Sequence, residues 1–69
     1  MRVICIKQVF DDEEQIELFK EGRQYKTDII GNTLFTIDEE GGIHTIAFDE
    51  NHEWVNDKWF SYHFKFESK

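Results

Sequence analysis

Eleven of the 69 residues are aromatic and only one is cysteine, and that combination constrains the fold more than any other feature of the chain. A domain of this size buries only about 60% of the surface its unfolded chain exposes. Small scaffolds commonly compensate with disulfides, a metal or oligomerisation, but Cys5 alone cannot close an intrachain disulfide. The rings must carry the core, each removing roughly 150–250 Å² from water when buried. Phe10, Phe19, Tyr25, Phe35, Phe48, Phe60, Phe64 and Phe66 are assigned to the core or its margin. They offset an apolar fraction of 39% and argue for an ordered chain despite a net charge of -7.

The four glycines, at 22, 31, 41 and 42, fall between β-rich runs, and there is no proline. Residues 2–10 read as a first strand with Val3, Ile4, Ile6 and Val9 on both faces, as a central or strongly curved strand requires. Residues 24–30 alternate Tyr25, Thr27 and Ile29 against Lys26 and Asp28, which is period two. Gly31-Asn32 is a hairpin signal before Thr33–Ile37, and Asp38-Glu39-Glu40-Gly41-Gly42 a second one before Ile43–Phe48. The middle of the chain is thus a three-stranded meander. Residues 11–21 fit either a short helix, with acids in its first turn and Gly22 after its end, or a long acidic loop. Asn56 to Tyr62 fits one helical or 3₁₀ turn with Asn56 as N-cap, and Phe64 and Phe66 alternate with Lys65 in a terminal strand. The expectation is one mainly β domain over residues 1–69, a small five-stranded antiparallel barrel or roll.

Three pieces carry a family resemblance: Phe19-Lys20-Glu21-Gly22-Arg23-Gln24-Tyr25-Lys26, Ile37-Asp38-Glu39-Glu40-Gly41-Gly42-Ile43-His44, and Trp59-Phe60-Ser61-Tyr62-His63-Phe64. With strand one and its acidic connection, the chain resembles the small Src-homology-3-like proteins of Gram-positive phages and prophages. That resemblance implies a barrel and a phage or prophage context, and no functional residue. The proline-rich-peptide groove of the eukaryotic domain is not implied. It needs an Ala-Leu-Tyr-Asp-Tyr-like segment and adjacent tryptophans, where this chain has Val9-Phe10-Asp11-Asp12 and tryptophans five residues apart.

Chemistry is sparse. Asp49-Glu50-Asn51-His52-Glu53 begins like a calcium loop, but Trp54 stands where the turn needs glycine and Phe60 where a bidentate glutamate belongs. His44, His52 and His63 lack zinc-site spacing. Cys5 lies in an apolar strand, and Ser61 and Ser68 have no nucleophile motif. The reading is a non-enzyme without cofactor or metal. A lone cysteine suits a reducing compartment, so the expected address is cytoplasmic, with no membrane span and no targeting segment.

Thirteen of the fifteen acids fall in three connections: Asp11, Asp12, Glu13, Glu14, Glu17 and Glu21; Asp38, Glu39 and Glu40; Asp49, Glu50, Glu53 and Asp57. Scattered cations among so many acids leave no basic stripe for phosphates, so direct nucleic-acid binding is not expected. The acids either keep an aromatic-rich domain soluble or are read by a partner. The expected partner is a protein, with Asp11, Asp12, Glu13, Glu14, Glu17 and Trp54 as candidate contacts, and a homodimer is left open. In the alternative, the carboxylates mimic DNA and occupy the basic channel of a nucleic-acid-processing or defence enzyme. Trp54, in the polar stretch 51–58, is either an anchor for a partner's pocket or a flap closing the barrel's open end.

Overall fold

The fold was obtained as a computed structural model that describes residues 1–13 and 15–67. Its strands are β1 (Arg2–Cys5), β2 (Val9–Phe10), β3 (Glu17–Phe19), β4 (Gln24–Ile30), β5 (Thr33–Ile37), β6 (Ile43–Phe48) and β7 (Phe64–Phe66). A 3₁₀ turn (Trp54–Asn56) and a short helix, α1 (Lys58–His63), stand between β6 and β7. Five strands form one antiparallel sheet in the order β6-β5-β4-β1-β7, curled into a half-barrel, and β2 and β3 form a separate small ribbon. The expected mainly β fold, its meander and its central first strand are all present.

β4 makes the curl. Its first half pairs with β1 (Arg2↔Lys26, Val3↔Tyr25, Ile4↔Gln24) and its second half with β5 (Thr27↔Thr36 through Ile30↔Thr33). Tyr25, Thr27 and Ile29 face inward, as their alternation predicts. Between β5 and β6 the register slips: Leu34 opposes Ala47 while Phe35 opposes Thr45, so Ile46 is an extra residue. Such a bulge bends its strand, and it lets the consecutive residues Ile46 and Ala47 both enter the core. A strict alternation would have put one of them in water.

The predicted strand 2–10 breaks in the middle. The N–H groups of Ile6 and Lys7 both donate to one carbonyl, that of His63, at 2.7 and 3.3 Å, which turns the chain out of β1 before it re-forms as β2. The described residues of the segment 11–21 are neither helix nor plain loop. Asp11 N–H donates to the Ile16 carbonyl at 2.8 Å, the Asp11 carboxylate accepts from Glu13 N–H at 2.8 Å, and Gln15 takes φ 59°. An aspartate that binds the backbone two residues on competes with helix formation, and the segment closes as the β2–β3 hairpin. The last helix also differs from expectation by one position. Asp57, not Asn56, is its N-cap, accepting from Phe60 N–H at 3.0 Å.

The core holds Val3, Cys5, Phe19, Tyr25, Leu34, Ile46, Ala47, Trp54, Phe60 and Phe64. Edge-to-face contacts join Phe19 to Tyr25 and Phe64, with ring centroids 5.0 and 5.2 Å apart. Three rings assigned to the core are not in it: Phe10 and Phe48 stand well exposed, Phe10 on the short ribbon and Phe48 on the outer face of β6, and Phe35 lies half-buried on the outer face of β5. Among the described residues, no helix is long and apolar enough to cross a membrane.

Candidate functional site

The Asp38–Gly42 turn shows how an acidic cluster builds structure. Asp38 Oδ1 accepts from the N–H groups of Glu40 and Gly42 at 2.8 and 2.9 Å, and its Oδ2 lies 2.6 Å from His44 Nε2. Gly41 supplies φ +86°, and a Cβ at Gly42 would meet the Asp38 carboxylate at 3.0 Å, so the two glycines have different reasons to be there. The same device recurs. Asp49 Oδ2 accepts from Asn51 and Glu53 N–H, each at 3.0 Å, and Asp57 receives Phe48 N–H at 2.9 Å besides capping α1. Asp11, Asp38 and Asp49 each open an acidic run and fold it by binding the N–H two residues on.

A second network fixes the β2–β3 ribbon against that turn. Glu39 N–H donates to the Leu18 carbonyl at 2.9 Å. The Tyr25 hydroxyl donates to Glu39 Oε2 at 2.6 Å and accepts from Lys20 N–H at 2.8 Å, and Arg23 pairs with Glu39 at 3.1 Å. Burial, and then the bond to Glu39, push the Tyr25 hydroxyl well above its ordinary pKa of 10.0. The sign follows from linkage. Below pH 10 both folded and unfolded chains keep this proton and its contribution is complete. Above it the unfolded chain ionises first, and stability falls as pH rises toward the folded value. Burial also raises the Cys5 thiol above 9.0, which adds to the alkaline loss in the same direction. Tyr25→Phe is expected to cost about 1–2 kcal/mol at neutral pH, since it removes one bond and leaves Lys20 N–H without its acceptor. It should also flatten the decline above pH 10; urea melts at neutral and alkaline pH measure both.

With the ribbon held there, a groove of about 470 Å³ opens between it, the start of β6 and one side of α1. Phe10, Asp11 and Asp12 form one wall, Trp59 and His63 the other, and Leu18, Phe19 and His44 also line it. Phe10 is 45% exposed and Trp59 43%, so both offer ring surface to an occupant. His63 packs against Trp59 with tilted rings, centroids 4.2 Å apart, and donates from Nδ1 to the Trp59 carbonyl at 2.9 Å, which fixes both side chains on α1. The groove therefore presents carboxylates and aromatic faces side by side on restrained elements.

The predicted contacts divide accordingly. Asp11 and Asp12 are in the groove; Glu13 is exposed on the adjoining turn, and Glu17 lies half-buried on β3 opposite Phe10. Glu14 lies outside the described residues. Trp54 lies away from the groove and is buried: it is 4% exposed, opens the 3₁₀ turn and stacks on His52 at 5.0 Å. Phe10, Trp59 and His63 are the residues that sequence reasoning missed. The signal for two of them was the i, i+4 spacing of Trp59 and His63, which became readable only with the helix start at Asp57.

The described candidate nucleophiles, Cys5 and Ser61, are engaged elsewhere. The Cys5 thiol is buried and donates to the Lys7 carbonyl at 3.1 Å, and the Ser61 hydroxyl donates to the Val55 carbonyl. Among the described residues, no three His, Cys, Asp or Glu side chains converge as metal ligands would. No known protein family, curated protein or solved structure matches the chain.

Proposed function

We propose that this chain is a non-enzymatic, acidic protein-binding module whose groove takes an extended, basic segment of a partner protein. The single observation that carries this reading is that Asp11 and Asp12 share one groove with two half-exposed rings, Phe10 and Trp59. Carboxylates select and steer cations, and aromatic rings supply most of the anchoring energy in small interfaces. A segment with Lys or Arg beside an apolar side chain satisfies both walls. The resemblance adds a setting, a phage or prophage accessory factor that modulates a host protein in the cytoplasm.

Selection of short random peptides on the immobilised protein tests this. Enriched peptides are expected to carry Lys or Arg next to a large apolar residue. Trp59→Ala and the pair Asp11→Lys with Asp12→Lys should each weaken binding by about tenfold or more, and added salt should weaken it further. A selection that enriches nothing, or peptides indifferent to all three changes, would sink the proposal. The DNA-mimic reading makes a different forecast: charge reversal abolishes binding and Trp59→Ala leaves it intact. It is the weaker reading because oxygens of Asp38, Asp49 and Asp57 are turned onto backbone N–H groups rather than arrayed outward.

A further inference from the structure

The outer face of the meander is apolar where a sheet with one solvated face is ordinarily polar. Leu34 and Thr36 point into the core, so Thr33, Phe35 and Ile37 of β5 point out. Ile30 of β4 and Ile43 and Phe48 of β6 join them: Ile37 pairs with Ile43, Phe35 lies between Asp28 and Thr45, and Thr33 lies between Ile30 and Phe48. Ile30 is 69% and Ile43 73% exposed, and Ile37 and Phe48 are each more than half exposed. A shallow depression of about 410 Å³ runs beside Phe35, Ile37 and Ile43, with Lys26 and Asp28 on its border. Four large side chains this exposed offer roughly 400–600 Å² of apolar surface, the upper end of what a monomer leaves in water.

We infer that this face pairs with the same face of a second copy of the chain, sheet on sheet. Area and charge both select that occupant. The strip supplies about half or more of the ~800 Å² per partner of a standard interface, so two equal strips laid together complete each other. The chain carries a net -7, yet the charged side chains bordering this depression are one cation and one anion, Lys26 and Asp28. Two copies meeting here bring a neutral depression to a neutral depression, whereas a charged foreign partner would find nothing to read. Face-to-face sheets stack about 10 Å apart with interleaved side chains, and Phe35, Ile37 and Ile43 supply the ridges.

Sedimentation equilibrium of the full chain from micromolar to near-millimolar concentration tests the pairing. A dimer is expected, tightened by added salt as repulsion between two acidic copies is screened, which is opposite to the salt response of the peptide groove. Ile43→Glu should weaken it by at least about tenfold, because a two-fold interface carries the change twice, and Ile37→Lys should do the same. Both side chains stand in solvent, so circular dichroism of the variants should match the parent. Phe10→Ser, on the groove, should leave the dimer intact. A monomeric mass throughout overturns the inference and leaves the face to some other occupant; a dimer that both variants tolerate overturns it equally.

Discussion

Phe19→Ala is expected to leave the protein largely unfolded at physiological temperature. Phe19 is fully buried, and although it stands on β3, outside the main sheet, its ring meets Tyr25, Phe64 and His44 edge-on. It is the point at which the β2–β3 ribbon enters the half-barrel. Truncating a buried phenylalanine costs about 3–5 kcal/mol through lost transfer energy and the cavity left behind. A chain of this length has on the order of 3–10 kcal/mol in total at typical values per residue, so the loss consumes most of it. With a urea slope near 1–1.5 kcal/mol/M for a small domain, the midpoint should fall by about 2–5 M. Phe19→Leu keeps most of the volume and should cost under about 1.5 kcal/mol. An alanine variant that loses less than about 1 kcal/mol would show that the ribbon does not depend on this ring. Because Phe19 also lines the groove, the leucine variant separates the two roles: it should fold and bind with a changed floor.

The elements legible in the sequence are those whose signals are local. Alternation in 24–30, the Gly31-Asn32 turn and the Asp38–Gly42 turn place the meander without tertiary information, because the residues that fix φ and the turn bonds lie within the turns themselves. What was not legible depends on distant partners. The break after Cys5 exists because two N–H groups meet the His63 carbonyl, far away in sequence. The ribbon at 9–19 competes with a helix of similar local merit, and is decided by Phe19 reaching Tyr25 and by Glu39 N–H reaching the Leu18 carbonyl. For the candidate site, composition pointed to Asp11 and Asp12 but not to the rings beside them. Phe10, Phe35 and Phe48 look like core residues by type, and only the register of their strands turns them outward.

Trp54→Ala is expected to cost about 3–5 kcal/mol of stability and to change partner binding only through that loss. β6 and β7 are the two edges of the five-stranded sheet, and the chain from 49 to 63 runs from one edge to the other. That crossing covers the open side of the half-barrel. Trp54 and Phe60 are its buried side chains, Asp49 N–H donates to the Asn32 carbonyl at 3.0 Å, and His52, stacked on Trp54, donates from Nε2 to the Gly31 carbonyl at 2.7 Å. The indole thus holds the crossing down at the end where β4 turns into β5. The two tryptophans make the assignment measurable. In Trp59→Phe the remaining Trp54 should emit at short wavelength and resist acrylamide. In Trp54→Phe, which keeps an aromatic plug and most of the stability, the remaining Trp59 should emit at long wavelength, quench readily, and respond when a basic peptide enters the groove. Ready quenching of Trp54, or a Trp54→Ala variant as stable as the parent that has lost peptide binding, would return this residue to the partner surface and remove the closure of the half-barrel from its account.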